Sequence, residues 1–156
     1  MSADPKDNPG VVAPPPLILL GFLLAAFLVD YYLPLPVLPA VVQYLLGGAL
    51  IASGVTVFVL AVQAMLRAGT NIPTRRPSTA IVSGGPFKYS RNPIYLAATV
   101  TSVGIAVMAD SVWVLASLIP FLIILNRGVI DREEKYLEEK FGKEYLDYKA
   151  SVRRWL

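Results

Sequence analysis

The chain contains no cysteine and no histidine, and only 16% of its 156 residues are charged. The missing cysteines exclude disulfides and a cysteine nucleophile, and the missing histidines remove the commonest general base. Together the two absences exclude a zinc site built from Cys and His ligands. Soluble domains average about 25% charged residues, so this chain has little surface suited to water. We expect no metal site, and any chemistry depends on the remaining residue types.

Three long stretches carry no charge at all, and they cover residues 31–66, 92–109 and 111–126. The mean hydropathy is +0.57, and uncharged stretches of this length are typical of membrane spans. The 14 Lys and Arg residues exceed the 11 Asp and Glu residues only slightly. This excess is too small to indicate a nucleic-acid partner, and we interpret it as an orientation signal for a small integral membrane protein.

The pattern predicts an all-α fold, an integral membrane helical bundle with about four transmembrane helices and a C-terminal cytoplasmic amphipathic helix. Residues 1–16 are polar and rich in proline, and we expect a disordered tail without a signal-peptide pattern. Residues 17–156 are expected to form one domain. The predicted spans are residues 17–33, 37–66, 94–109 and 111–125.

Two features of these spans predict how they pack. The second span carries a face of small residues suited to close helix contact: Gly47, Gly48, Ser53 and Gly54. Asp110 and Ser111 alone separate the third and fourth spans, which therefore form a tight helical hairpin. Both of these spans are short and relatively polar, so we expect neighbouring helices to shield them from lipid.

The long connection, residues 67–93, carries five basic residues and no acidic one. The other two connections between spans carry no Lys or Arg, so the positive-inside rule places both termini and this loop in the cytoplasm. Unstructured loops of this length are usually functional or disordered. This one contains apolar side chains such as Ile81 and Phe87, and we expect it to pack.

Two short motifs in this loop are candidates for chemistry. Gly84-Gly85-Pro86 would let backbone N–H groups approach carboxylate or phosphate oxygens, although the same residues also suit a simple turn. Arg91 stands where the loop meets the third span, followed by Asn92 and, one turn on, by Tyr95. The alternative interpretations are a border cation that reaches the headgroups and an interfacial aromatic anchor.

A third candidate is the pair Glu133 and Glu134, beyond the end of the fourth span. The apolar stripe of this amphipathic segment has spacings of four, three and four: Ile130, Glu134, Leu137 and Phe141. Glu134 therefore lies on the apolar stripe and Glu133 borders it. A buried carboxylate needs a partner, so the alternative function is a structural ion pair with Arg91 or Arg127. Gly142 is expected to break the segment into two helices.

These motifs together resemble a known family. The run G-G-P-F-K-Y-S-R-N-P-I-Y-L, a helical hairpin, and then D-R-E-E-K-Y-L-E-E-K-F-G-K-E-Y-L-D-Y are similar to the isoprenylcysteine carboxyl methyltransferase family and its phospholipid methyltransferase relatives. The resemblance covers about residues 67–152. Where the isoprenylcysteine enzymes have Arg-His-Pro, this chain has Arg91-Asn92-Pro93. Asparagine keeps the hydrogen-bonding capacity but cannot change charge near neutral pH.

The resemblance implies a membrane methyltransferase that uses S-adenosylmethionine, releases S-adenosylhomocysteine and acts on a lipophilic acceptor at the cytoplasmic border of the bilayer. The implied cofactor-binding residues are Gly84, Gly85, Pro86, Phe87, Asn92, Tyr95, Glu133 and Glu134. Backbone N–H groups of residues 84–87, with Asn92, would receive the cofactor carboxylate, and the glutamates would accept bonds from its ammonium or ribose. Arg91, which would orient a carboxylate or phosphate on the acceptor, and Glu133 are the implied catalytic residues.

Three other functions stay open at this point. A catalytically silent four-helix membrane module would keep the fold for assembly, and a cofactor-binding measurement distinguishes it. A small transporter usually shows an ionisable residue in mid-membrane, whereas Asp30 and Asp110 stand at span ends. A reductase of related fold would use NADPH, but no dinucleotide glycine fingerprint follows a strand in this sequence.

Overall fold

The protein is described by a computed structural model that covers residues 8–71 and 77–156. Within these ranges the regular elements are helices, as the sequence predicts. They are α1 (Pro15–Tyr32), α2 (Ala40–Arg67), α3 (Pro93–Met108), α4 (Val112–Leu125), α5 (Asp131–Phe141) and α6 (Lys143–Ser151). A 3-10 turn, Gly85–Lys88, lies in the long loop, and a π-helical turn, Asn126–Ile130, joins α4 to α5.

Three helical stretches are long and apolar enough to cross a membrane, and a shorter apolar helix accompanies them. The long ones are Pro15–Tyr32, Ala40–Arg67 and Val112–Phe141, and the shorter one is α3. The four apolar helices agree with the four predicted spans to within three residues at each end. At 1.5 Å per residue α2 is about 42 Å long, so it exceeds a hydrocarbon core of roughly 30 Å. The chain is a multi-pass membrane protein.

Local chemistry explains where the helices start and stop. Pro15 and Pro93 occupy the first turns of α1 and α3, where the missing N–H costs nothing because that group has no intrahelical partner. Ser111 caps α4, its hydroxyl accepting a bond from the backbone N–H of Val114 at 3.2 Å. Gly142 separates α5 from α6 with φ of 55°, so the predicted break at this residue is confirmed.

Glycine residues allow α2 and α3 to pack closely against each other. A Cβ atom added at Gly47 would lie 2.8 Å from the backbone nitrogen of Met108, and one at Gly54 would lie 2.9 Å from the carbonyl oxygen of Ala97. Gly104 faces α2 in the same way, 2.8 Å from the backbone nitrogen of Ile51. The predicted small-residue face is therefore confirmed at Gly47 and Gly54, where no larger residue fits without moving a helix.

The α3–α4 hairpin holds one end of the bundle together. Asp110 adopts φ of 50° in the turn, and its carboxylate accepts bonds from the backbone N–H groups of Val37 and Leu38 at 2.9 and 3.0 Å. Ser111 donates to Asp30 at 2.8 Å. Asp110 thus joins the hairpin to the α1–α2 connection, and Asp30 joins the hairpin to α1. The predicted site residues lie at the opposite end of the bundle.

The expected disordered tail, residues 1–16, lies partly outside the described part of the chain, which begins at residue 8, and residues 10–12 contact the helices. The backbone N–H of Val12 donates to the carbonyl of Gly128 at 3.3 Å, and Arg132 donates to the carbonyl of Gly10 at 2.7 Å. Gly128 belongs to the π turn and is buried. Its missing side chain leaves room for Val12, so this segment packs along the junction between α4 and α5.

Candidate functional site

A group of ionisable and polar residues lies where the long loop, α3, α5 and the C-terminal residues meet. We call it the polar cluster, and it consists of Arg91, Tyr95, Glu133, Glu134 and Arg154. The π turn before α5 closes with a bond from the backbone N–H of Asp131 to the carbonyl of Asn126. Such a turn contains one more residue than an α turn, and it therefore sets the face on which α5 presents its glutamates.

Arg91 and Glu134 form the buried centre of this cluster. The Glu134 residue is 5% exposed, and the Arg91 side chain is 10% exposed. Nη2 of Arg91 donates to Oε1 of Glu134 at 3.0 Å, and Nη1 donates to the carbonyls of Lys149 and Val152 at 2.9 and 3.2 Å. The structural ion pair left open by the sequence is therefore present between these two residues, and it ties the start of α3 to α5 and α6.

Arg154 is a second cation on Glu134, and sequence analysis missed it. Its Nε and Nη2 donate to Oε1 and Oε2 of Glu134 at 3.1 and 2.8 Å, and its Nη1 lies 2.9 Å from Oδ1 of Asp131. Lys149 adds a weaker contact at 3.7 Å. The hydrogen bond to Glu134 raises the pKa of the Arg154 guanidinium. Glu134 thus has three cationic partners within the described residues.

Glu133 points to a different neighbour from Glu134. Its Oε1 accepts a bond from the Tyr95 hydroxyl at 2.8 Å, and both residues are partly buried. Tyr95 lies in the first turn of α3, one turn after Arg91. The structure therefore brings together four of the predicted residues, Arg91, Tyr95, Glu133 and Glu134, at one end of α3.

Asn92 lies beside the cluster but faces the C-terminal backbone. Its Nδ2 donates to the carbonyl of Arg154 at 3.1 Å, and the same carbonyl accepts a bond from the Ser90 hydroxyl at 3.2 Å. The backbone N–H of Arg91 donates to the carbonyl of Arg153 at 2.9 Å. Three consecutive loop residues thus hold the C-terminal segment in place.

The glycine turn packs against α2 and α6. Gly85 has φ of 59°, in the left-handed region that favours glycine, and a Cβ atom there would lie 3.6 Å from that of Ala64. The carbonyl of Phe87 accepts a bond from the Tyr148 hydroxyl at 2.8 Å. Burial raises the pKa of Tyr148 to about 12, so this hydroxyl stays a donor. The backbone N–H of Phe87 bonds to the carbonyl of Gly84 at 3.2 Å.

A groove of about 780 Å³ lies between the second half of α2 and residues 81–89. Gly84, Gly85 and Pro86 form part of its wall, and two cations, Arg67 and Lys88, stand along it. The two glutamates of the polar cluster do not line this groove. The predicted site residues therefore fall into two neighbouring groups, which the loop from residue 87 to residue 91 and α6 connect.

Among the residues that the structure describes, no three Asp or Glu side chains are grouped so that they could hold a metal ion. One buried polar atom stands out instead. Nε of Arg91 is buried and has no hydrogen-bond partner among the described residues. A buried N–H without a partner costs about 1–3 kcal/mol, and it favours an additional acceptor at this position.

Comparison with known proteins gives a family match and a short relative. Residues 42–144 match a family model described as phospholipid methyltransferase. This range runs from α2 into α6 and includes both groups of predicted site residues. A 36-residue stretch, 23% of this chain, is 58% identical to an uncharacterised protein of Haemophilus influenzae and covers 57% of that protein's length. No solved structure matches the chain.

Proposed function

The chain belongs to the phospholipid methyltransferase family, and we propose on this basis that it is a membrane methyltransferase. The methyl donor is S-adenosylmethionine, the product is S-adenosylhomocysteine, and the acceptor is a lipophilic molecule at the cytoplasmic border of the bilayer. The observation that carries this proposal is the match over residues 42–144, since it includes the apolar helices α2 to α4, the glycine turn and every residue of the polar cluster except Arg154.

The chemistry of the polar cluster supports a zwitterionic cofactor. S-adenosylmethionine presents a carboxylate, an ammonium and ribose hydroxyls. Glu133 offers a carboxylate beside the Tyr95 hydroxyl, which suits a ribose hydroxyl, and the neighbouring carboxylate of Glu134 suits the ammonium. Nε of Arg91 is a buried donor without a partner among the described residues, and it suits the cofactor carboxylate. The residues present therefore fit the group.

Methyl transfer needs alignment more than acid–base catalysis, because the methyl group moves by in-line displacement. Holding two reactants in reacting geometry contributes roughly 7–11 kcal/mol. The ion pair from Arg91 to Glu134 supplies rigidity for this task, since it fixes the start of α3 against α5 and α6. A chain without histidine or cysteine is therefore adequate for this reaction.

The acceptor has two places to bind near this site. A cavity of about 260 Å³ between α1, α2 and α3 has an almost wholly apolar lining that includes Leu23, Phe58 and Ile105, and it suits an apolar tail entering from the bilayer. The groove beside residues 81–89 carries Arg67 and Lys88, which suit an anionic head. We place the head there rather than at Arg91, because the Nη atoms of Arg91 already donate to Glu134 and to two backbone carbonyls, and its Nε is proposed for the cofactor carboxylate.

Isothermal titration of the detergent-solubilised protein with S-adenosylhomocysteine tests the cofactor assignment. Glu133→Gln should weaken binding about tenfold, equivalent to about 1.4 kcal/mol, because the amide replaces one acceptor oxygen of the carboxylate with an N–H donor. Glu139→Gln is the matched control, since Glu139 lies on the same helix and is exposed apart from its surface pair with Lys135. Equal affinity in the two variants would contradict the role of Glu133.

The same titration separates the alternative functions. Binding of NADPH in place of S-adenosylhomocysteine would indicate a reductase. Binding of neither compound by the folded wild-type protein would favour a membrane module without catalytic function, and the methyltransferase proposal would then be wrong.

A further inference from the structure

The C-terminal segment, residues 152–156, lies directly on the predicted cofactor residues. The carbonyl of Arg154 accepts bonds from Ser90 and Asn92, and the carbonyl of Arg153 accepts the backbone N–H of Arg91. The chain leaves α6 at Val152, whose own backbone is extended with φ of −128° and ψ of 135°. Part of the hydrogen-bonding capacity expected to meet the cofactor is thus used by the chain itself.

The Arg154 side chain competes for the carboxylate that the cofactor ammonium would use. It gives Glu134 two hydrogen bonds, and Arg91 and Lys149 also lie on this carboxylate. A cofactor ammonium would add a fourth positive group around one carboxylate. Like charges at such distances repel in a poorly solvated site, so the ammonium and the Arg154 guanidinium cannot both occupy this position.

Of the two arginines that bond to Glu134, Arg154 is the one that can move away. Its side chain is 35% exposed, whereas that of Arg91 is 10% exposed. Arg91 lies two residues before the start of α3, and two backbone carbonyls hold its guanidinium in addition to Glu134. Arg154 stands in a short segment after the last helix, and Trp155 anchors that segment by packing against the core cluster that includes Leu125 and Ile130.

We propose that residues 152–156 are a lid that the cofactor must displace. In the closed arrangement the Arg154 guanidinium pairs with the Glu134 carboxylate. In the open arrangement the ammonium of S-adenosylmethionine or S-adenosylhomocysteine takes the place of that guanidinium. The inference rests on the proposed cofactor. It is tested by the position of residues 152–156 with and without that cofactor. If the open form is a minor population of about 10%, the lid lowers the apparent cofactor affinity about tenfold.

Tryptophan fluorescence reports the position of the segment. The chain has two tryptophans, and Trp113 lies at the far end of the bundle, where its indole donates to the carbonyl of Leu33 at 2.7 Å. In the Trp113→Phe variant Trp155 is the single remaining tryptophan, so it alone gives the tryptophan emission. Saturation with S-adenosylhomocysteine should shift its emission to longer wavelength and speed tryptic cleavage after Arg153 and Arg154. Adenosine lacks the ammonium and should do neither.

Titration of an Arg154 variant provides the second test. Arg154→Gln should bind S-adenosylhomocysteine about tenfold more tightly than the wild type. Arg132→Gln, an exposed arginine on α5 outside the cluster, is the matched control and should leave the affinity unchanged. If Arg154→Gln fails to fold, Arg154→Lys replaces it in this test. Lysine keeps the charge but loses the two-pronged contact, so this variant should show a smaller gain in affinity.

The outcomes distinguish the lid from the proposed function. Wild-type binding with no change in Trp155 emission, or weaker binding in Arg154→Gln, would mean that Arg154 positions Glu134 and that no lid exists, while the methyltransferase proposal stands. Binding that appears only in Arg154→Gln would support the lid. No binding in the wild type and in every folded variant would overturn both proposals.

Discussion

Replacing Glu134 by glutamine tests the ion-pair network that joins α3, α5 and the C-terminal segment at one end of the bundle. Glu134 is 5% exposed and faces the 10% exposed side chain of Arg91. The glutamine keeps the size of the side chain but leaves the buried guanidinium without a countercharge. Loss of one partner of a buried ion pair costs about 3–5 kcal/mol. Solvent screening reduces this figure little, because both side chains are buried, whereas the partly exposed Arg154 and Lys149 can turn to water.

Thermal unfolding of the purified protein in detergent measures this loss. For domains of about 150–250 residues, 1 kcal/mol shifts the Tm by about 2–4 °C, so Glu134→Gln should lower the Tm by about 6 °C or more. Glu139→Gln, on the exposed face of α5, should change it by less than about 1 °C. The two variants remove the same charge from the same helix, and only the burial differs.

A double variant separates lost pairing from a general defect. Arg91→Met combined with Glu134→Met removes both buried charges and keeps apolar volume, and such replacements are often neutral or stabilising. The double variant should therefore recover much of the Tm lost in Glu134→Gln. A Tm of Glu134→Gln equal to that of Glu139→Gln would refute the reasoning, since the Arg91–Glu134 contact would then contribute nothing to stability.

Three further predictions concern packing, orientation and the acceptor. Gly54→Leu should lower the Tm by an amount equivalent to at least about 1–3 kcal/mol, because its side chain meets α3, whereas Gly21→Leu on α1, with open space around it, should not. In intact cells a cysteine at Leu35 should react with an impermeant thiol reagent and one at Ser83 should be protected; the reverse labelling would invert the topology. Acceptors of fixed head and shorter tail should lose about 0.8 kcal/mol of binding per CH₂, and Arg67→Gln should raise the KM of an anionic acceptor without changing the Kd of S-adenosylhomocysteine.

The membrane architecture was predictable because its causes are local. An uncharged stretch marks a span wherever it occurs, so the four helices agree with the predicted ones to within three residues. Gly47 and Gly54 were predictable as contact residues for the same reason, since small residues recur at helix interfaces in membranes. Gly142 ends α5 through its own backbone conformation, with φ of 55°.

The partners of Glu134 were predictable only in part. The place of Glu134 on an apolar stripe predicts a cationic partner, and the sequence offers Arg91 and Arg127 for this role. The contact with Arg154 was not predictable, because Arg154 lies twenty residues further along the chain, beyond the break at Gly142. Periodicity within one helix gives no information about the direction of the next. The direction in which the glycine turn faces, toward Ala64 on α2, depends on tertiary packing in the same way.

The two adjacent glutamates of α5 have different environments, and this determines how the site should be dissected. Successive residues on a helix differ by about 100° in direction, so Glu134 meets Arg91 and Arg154 while Glu133 meets the hydroxyl of Tyr95. A variant that changes both would lose the ion pair and the candidate cofactor contact at once, and weaker binding would then have two explanations. Glu133→Gln leaves the Glu134 network in place, so a loss of S-adenosylhomocysteine affinity at an unchanged Tm would be attributable to Glu133 alone.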